Sequence, residues 1–180
     1  MTDSANAAEM LGLARRNKVG VALPGTLIPE NEDDAYGVLN ALHQWQDMQG
    51  EGNVVGYKIG CTTPTMQEIV GVPSPVFGGV LDVNVHHENR AFAFDDFQQV
   101  GIECEIAVRL SADLPASGAP YDRADVEAAI GACMAAIEVV DNRYGDFLSL
   151  PPQVLIADDF FQSACVLGPE VQDWRALDLA

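Results

Sequence analysis

GIECEIAVRL, residues 101–110, is the stretch on which the reading of this chain turns. Side chains alternate faces along a strand. Ile102, Cys104, Ile106, Val108 and Leu110 therefore form one unbroken apolar face, while Glu103 and Glu105 point together to the other. An apolar back with a paired-acid front is what a hard-cation site needs, because Mg²⁺ and Mn²⁺ prefer oxygen ligands and carboxylates at i and i+2 can reach one ion. The same pair also fits an ordinary solvated strand face. Glu138, in AAIEVVDNRY (135–144), adds a third acid among Ala135, Ala136, Ile137, Val139 and Val140. A carboxylate there is either exposed by alternation or buried and compensated by a cation.

Working outward, 180 residues suit one domain with a real core, and 48% hydrophobic residues argue against disorder. No apolar run reaches the roughly 18 residues of a membrane helix, and the polar start MTDSANAAEM lacks the features of a secretory signal. Cys61, Cys104, Cys133 and Cys165 form no CxxC pair and are expected to be buried thiols in a cytoplasmic protein. The net charge of −18, from 27 acids against 9 bases, makes nucleic acid a poor partner and favours solubility. Lysine is scarce: only Lys18 and Lys58 occur.

Two N-terminal helices are expected, one capped by Ser4 and carrying Leu11, Leu13 and Ala14. The other is capped by Asn31 and runs through Ala35, Val38, Leu39, Leu42 and Trp45 to Gly50 and Gly52. VVGYKIG reads as a strand that turns Val55, Tyr57 and Ile59 one way and Val54, Gly56 and Lys58 the other. Thr63 and Pro64 start a short helix ending near Gly71. Pro73, Pro75, Gly78 and Gly79 predict a turn before a strand VLDVNV, with RAFAF another strand. A helix over about 122–134 leads directly into a strand holding Glu138, and a long loop over 141–152 precedes a strand SACVLG.

Lys58 lies between Gly56 and Gly60, where a ligand can approach the backbone. It reads either as a partner for a substrate carboxylate or acid/base group, or as a plain strand lysine. Adjacent His86 and His87 point opposite ways and suit no shared metal. His43 reads as an exposed or capping residue of the second helix. GxSxG, GxGxxG, Walker A, HExxH and EF-hand patterns are absent.

DAYGVLNAL, GYKIGCTTPTMQEIVGV, PVFGGVL, IECEIAVRL, DLPASG, AAIEVVDNRY and IADDFFQSACVLG, in that order over about residues 33–168, resemble the fumarylacetoacetate hydrolase superfamily. The resemblance is to its 2-keto-4-pentenoate hydratase and 4-oxalocrotonate decarboxylase branch. It implies an α+β fold: an N-terminal helical segment over 1–52, then a mixed, mainly antiparallel β-sheet core of the fumarylacetoacetase C-terminal-domain type over 53–180, incomplete at the C-terminus. It also implies Mg²⁺ or Mn²⁺ held by Glu103, Glu105 and Glu138, and Lys58 beside the substrate as a catalytic and binding residue. The implied substrate is a small 2-oxo or 2-hydroxydienoate acid, whose C1 carboxylate and C2 oxygen chelate the metal.

The implied activity is that of a lyase adding water to 2-hydroxypenta-2,4-dienoate-like acids in aromatic-compound catabolism. A 4-oxalocrotonate-type decarboxylase and a truncated, non-catalytic relative are the alternatives. Acylpyruvate hydrolysis fits the acids but not the DAY helix. Three departures stand out: Val76 where hydratases often carry Asp, Phe161 where a small polar residue is common, and an end at RALDLA where the family continues. Lacking those further strands, the sheet is expected to expose an edge and apolar surface. The chain is then expected to be poorly soluble, to form homo-oligomers, or to pair with a homologue.

Overall fold

A computed structural model describes residues 3–178. Helix α1 (Ser4–Arg16) is capped by Asp3, whose carboxylate accepts from the Asn6 N–H, so the cap stands one residue before the expected Ser4. Helix α2 (Glu32–Met48) is capped by Asn31 as expected, and Glu32, Asp33 and Asp34 in its first turn complement the helix dipole. The two helices bury Ala7, Ala8, Leu11, Val38 and Leu42 against one another and against Ala157. Each such leucine contributes about 1.5–3 kcal/mol by leaving water.

Strand β1 (Val54–Gly60) pairs antiparallel with β2 (Val76–Leu81) across helix α3 (Pro64–Val70), which Thr63 caps and Gly71 ends at φ 81°. The remaining elements are β3 (Val85–His87), β4 (Val100–Leu110), α4 (Arg123–Ala129), β5 (Ile130–Asp141), α5 (Pro152–Ala157) and β6 (Gln162–Leu167). They give a second sheet in the order β3-β6-β5-β4, parallel only between β3 and β6. The architecture is thus α+β with a mixed, mainly antiparallel sheet. Among the described residues, no helix is long and apolar enough to cross a membrane.

Several local expectations are corrected. Gly78 and Gly79 lie within β2, not in a turn; a side chain on Gly78 would strike the Asp159 backbone, and one on Gly79 the His43 ring. VLDVNV is split by a 3-10 turn over Asp82–Asn84, and RAFAF forms no strand. Helix α4 stops at Ala129 because Ala132, Cys133 and Met134 already pair with Arg109, Val108 and Ala107 of β4, and the ladder overrides helix propensity. The loop expected over 141–152 is followed directly by α5, which buries Val154, Leu155 and Ile156.

One core joins Ala35, Cys61, Val72, Val76, Leu155, Ile156 and Phe160. The apolar face of β4 is not part of it. Ile102 is 62% exposed and Ile106 55%, and Cys104 is exposed rather than buried. Cys61 and Cys133 are buried and Cys165 is intermediate. β4 ends its sheet, so the expected open edge and apolar surface are both present.

Candidate functional site

Register brings the acids together. Across β4 and β5, Glu103 stands directly opposite Glu138, and Glu105 stands opposite the small Ala136. Carboxylate oxygens of Glu103, Glu105 and Glu138 lie within 4.8 Å of one another; the first two residues are exposed and Glu138 is buried. From the neighbouring sheet, β1 sends Lys58 inward with Val54 and Gly56, and its Nζ lies 3.3 Å from Glu138 Oε1. All four residues singled out from the sequence therefore meet at one place.

This place is short of positive charge. Three carboxylates face one ammonium, and the solvent-sealed Glu138 Oε1 has the Lys58 ammonium, at 3.3 Å, against it. Burial raises the Glu138 carboxyl above its ordinary range; Lys58 opposes this, and Glu103 and Glu105 add to it. Hard oxygen donors, a converging register and three carboxylates against a single lysine suit a divalent cation, which would offset the repulsion.

Lys58 is oriented by an unusual backbone. Its Nζ donates to the Phe160 carbonyl at 2.7 Å and lies 5.1 Å from the Phe160 ring centroid. Asp159, Phe160 and Phe161 all have positive φ, at 53°, 48° and 70°. Left-handed conformations cost non-glycine residues of order 1–3 kcal/mol each, so the surrounding contacts must hold them. Asp159 Oδ1 accepts from the Gly79 N–H at 2.7 Å and meets His43 Nε2 at 2.7 Å, while Oδ2 lies 3.2 Å from Arg15. Asp158 takes Arg15 at 2.5 Å, Arg143 at 2.8 Å and the Tyr144 hydroxyl at 3.1 Å. Burial pushes the Asp159 carboxyl up, but Arg15, His43 and the Gly79 N–H outweigh it and hold it below the ordinary range.

His43 is therefore neither exposed nor a cap, as the sequence reading had it: its side chain is 12% exposed and bound to Asp159. The network of Arg15, Arg143, Asp158 and Asp159 was missed in the sequence. The only signal was the IADD segment itself, because Arg143 and Arg15 lie 15 and 143 positions from Asp158. His86 and His87 stay outside the acid cluster, with His86 against the Phe92 ring. Val76 is buried in the core.

The site opens into a cleft of about 540 Å³ lined by Lys58, Glu103 and Glu105 on its polar side and by Phe147, Phe160 and Phe161 on its apolar side. Cys61, at φ 54°, also lines it, and burial raises its thiol first, with Lys58 opposing.

No family model matches the chain. It is 32% identical over 145 residues to a 2-keto-4-pentenoate hydratase of Burkholderia vietnamiensis, covering 81% of this chain and 54% of the relative. It is 33% identical over 148 residues to a 2-hydroxypent-2,4-dienoate hydratase of Pseudomonas putida, covering 82% and 65%. The fold superimposes on 4-oxalocrotonate decarboxylase from Pseudomonas putida G7, complexed with magnesium and adipate. The TM-score is 0.85 at 25% identity, over 96% of this chain and 65% of that one. The chain thus spans between half and two thirds of the length of these relatives. Sequence and fold are both consistent with the 2-keto-4-pentenoate hydratase and 4-oxalocrotonate decarboxylase branch of the fumarylacetoacetate hydrolase superfamily.

Proposed function

We propose that the chain carries the metal and substrate-head site of a divalent-metal-dependent lyase. Its reaction is the addition of water to 2-hydroxypenta-2,4-dienoate-like acids, in the cytoplasmic breakdown of aromatic compounds. The observation that carries this reading is the convergence of Glu103, Glu105 and Glu138 within 4.8 Å beside Lys58. The hydratase relatives and the magnesium in the decarboxylase neighbour support it.

Glu103, Glu105 and Glu138 would hold Mg²⁺ or Mn²⁺. When bound, such an ion supplies positive charge against which negative charge can develop at a substrate 2-oxygen. The chain's own residues do the rest. Lys58 uses one N–H on the Phe160 carbonyl, which fixes the direction of its stem and leaves other donors for an anionic substrate. Phe160 and Phe161 limit water on the apolar side of the cleft. The segment 1–52 braces the core over 53–180 through α2 and α5, and the two work as one unit. The exposed face of β4 favours a homo-oligomer or pairing with a homologue.

The second reading is decarboxylation of a 4-oxalocrotonate-like acid, favoured by the decarboxylase fold match and by Val76 in place of an acid. Product analysis with 2-hydroxypenta-2,4-dienoate and 4-oxalocrotonate, with and without Mg²⁺, separates the two. Metal-dependent hydration of the first is expected; no metal-dependent turnover of either would remove the lyase reading. Lys58→Met should lower turnover at least ~100-fold if Lys58 acts on the reacting acid.

A further inference from the structure

We propose that the chain holds a second ligand pocket, apart from the acid cluster, that takes a small monocarboxylate carrying hydroxyl groups. It stands independently of the metal reading, because this pocket and the Lys58 cleft share no lining residue.

The pocket gathers residues from α1, α2, β2, β5 and β6 around a volume of about 240 Å³. At roughly 30 Å³ per water molecule, that is room for about eight waters or one short organic acid, and too little for a nucleotide. Only nine side chains of this chain are lysine or arginine, yet Arg15, Arg16, Lys18 and Arg143 all line this one pocket. Glu51, Asp96 and Asp141 line it with them. Asp141 is engaged by the Gln98 and Gln99 N–H groups, and Arg16–Glu51 and Lys18–Asp96 are rim pairs open to water. Exposed pairs contribute little, so an incoming carboxylate can exchange with them at small cost. Deeper in, Asp158 fixes Arg15 and Arg143, and Arg15 also reaches Asp159. Those contacts engage Nε and Nη2 of each guanidinium and leave Nη1 uncommitted among the described residues.

A pair of buried amides is the independent sign of a ligand. Gln46 and Gln162 are 4% and 1% exposed, and both line the pocket. Gln46 Oε1 and Gln162 Nε2 find no hydrogen-bond partner among the described residues. Unmet buried polar atoms are costly, so a site needed only for packing would be more stable with leucine at both places. One unmet acceptor and one unmet donor call for a group that both donates and accepts. A hydroxyl does so; a carboxylate or an alkyl chain does not. Rotation about the broad terminal torsion of either amide brings its unmet atom to such a group. The arginines and Lys18 then take the carboxylate, and Leu81 and Val83 the carbon skeleton.

Three probes of equal carbon number separate these features. Glycerate has a carboxylate and hydroxyls, propanoate lacks the hydroxyls, and glycerol lacks the charge. Metal-free buffer of matched ionic strength leaves the acid cluster repelling anions. There, titration calorimetry of the 180-residue chain should show glycerate binding at least ~10-fold more tightly than either of the others. Glycerate should also shift the Arg15 and Arg143 Nε–H resonances in nuclear magnetic resonance spectra, which locates it without any substitution. Gln46→Leu and Gln162→Leu should each weaken glycerate at least ~5-fold, leave propanoate unchanged and raise the melting temperature of the ligand-free chain. Equal binding of the three probes, or no saturable binding of glycerate at tens of millimolar, would overturn the proposal and leave a pocket that holds water only. Arginine resonances that stay in place, or an affinity unchanged in both folded variants, would equally overturn it. The unmodified chain supplies the deciding ratio and the resonances, so a variant that fails to fold does not remove the test.

Discussion

Two acidic clusters lie on either side of Phe160, and the chain treats them in opposite ways. Asp158 and Asp159 are fully buried, yet Arg15, Arg143, His43, Tyr144 and the Gly79 N–H meet their oxygens. Glu103, Glu105 and Glu138 have one lysine among them, 3.3 Å from Glu138. The first cluster is matched by two arginines, His43 and neutral donors, with Arg15 3.2 Å from Asp159 Oδ2, and holds a strained turn in place. The second is short of positive charge and opens into a cleft. The difference separates acids neutralised within the fold from acids that the proposed function assigns to a metal.

The sharpest way to break this contrast is to remove one acid from each. Asp158→Ala leaves Arg15 and Arg143 without their buried partner and should cost about 3–5 kcal/mol in urea unfolding. Glu138→Gln should cost under about 1 kcal/mol in metal-free buffer, since it also relieves repulsion from Glu103 and Glu105. Similar losses from both would erase the distinction.

Magnesium tests the second cluster directly. At one hundred times its dissociation constant, the ion should stabilise the chain by about 2.7 kcal/mol, read as a rise in melting temperature. Asp158-side substitutions that still fold should keep this rise, and Glu103→Gln should lose it.

Acid sensitivity belongs to the first cluster. The Asp159 carboxyl titrates below its ordinary range in the folded chain, whereas the unfolded value is about 3.9. Its stabilising contribution is thus fully present above that unfolded value and is lost as pH falls through the lower folded one. Unfolding free energy measured from pH 5 downward should decline less steeply in Asp159→Asn than in the parent.

These clusters were unequally legible in the sequence. Strand alternation and the family's order of segments pointed to Glu103, Glu105, Glu138 and Lys58, because periodicity and local motif suffice for residues on regular strands. The Asp158 network needs Arg15, 143 positions away, and a left-handed turn that no local pattern announces in DFF. Alternation likewise identified the two faces of β4 but not which would be covered. That depends on neighbours across the sheet, and here Ile102 and Ile106 face solvent. A paired Ile102→Thr and Ile106→Thr change should move stability by less than about 1 kcal/mol while raising the concentration at which the chain stays monodisperse. Light scattering measures it; unchanged self-association would show that this face is not the adhesive one.

Calorimetric titration of Mg²⁺ into the chain and into Glu103→Gln tests the central claim most directly. The account predicts a saturable isotherm for the parent and none for the variant at the same concentrations. An isotherm unaltered by Glu103→Gln, or no binding to the folded parent at millimolar Mg²⁺, would contradict it.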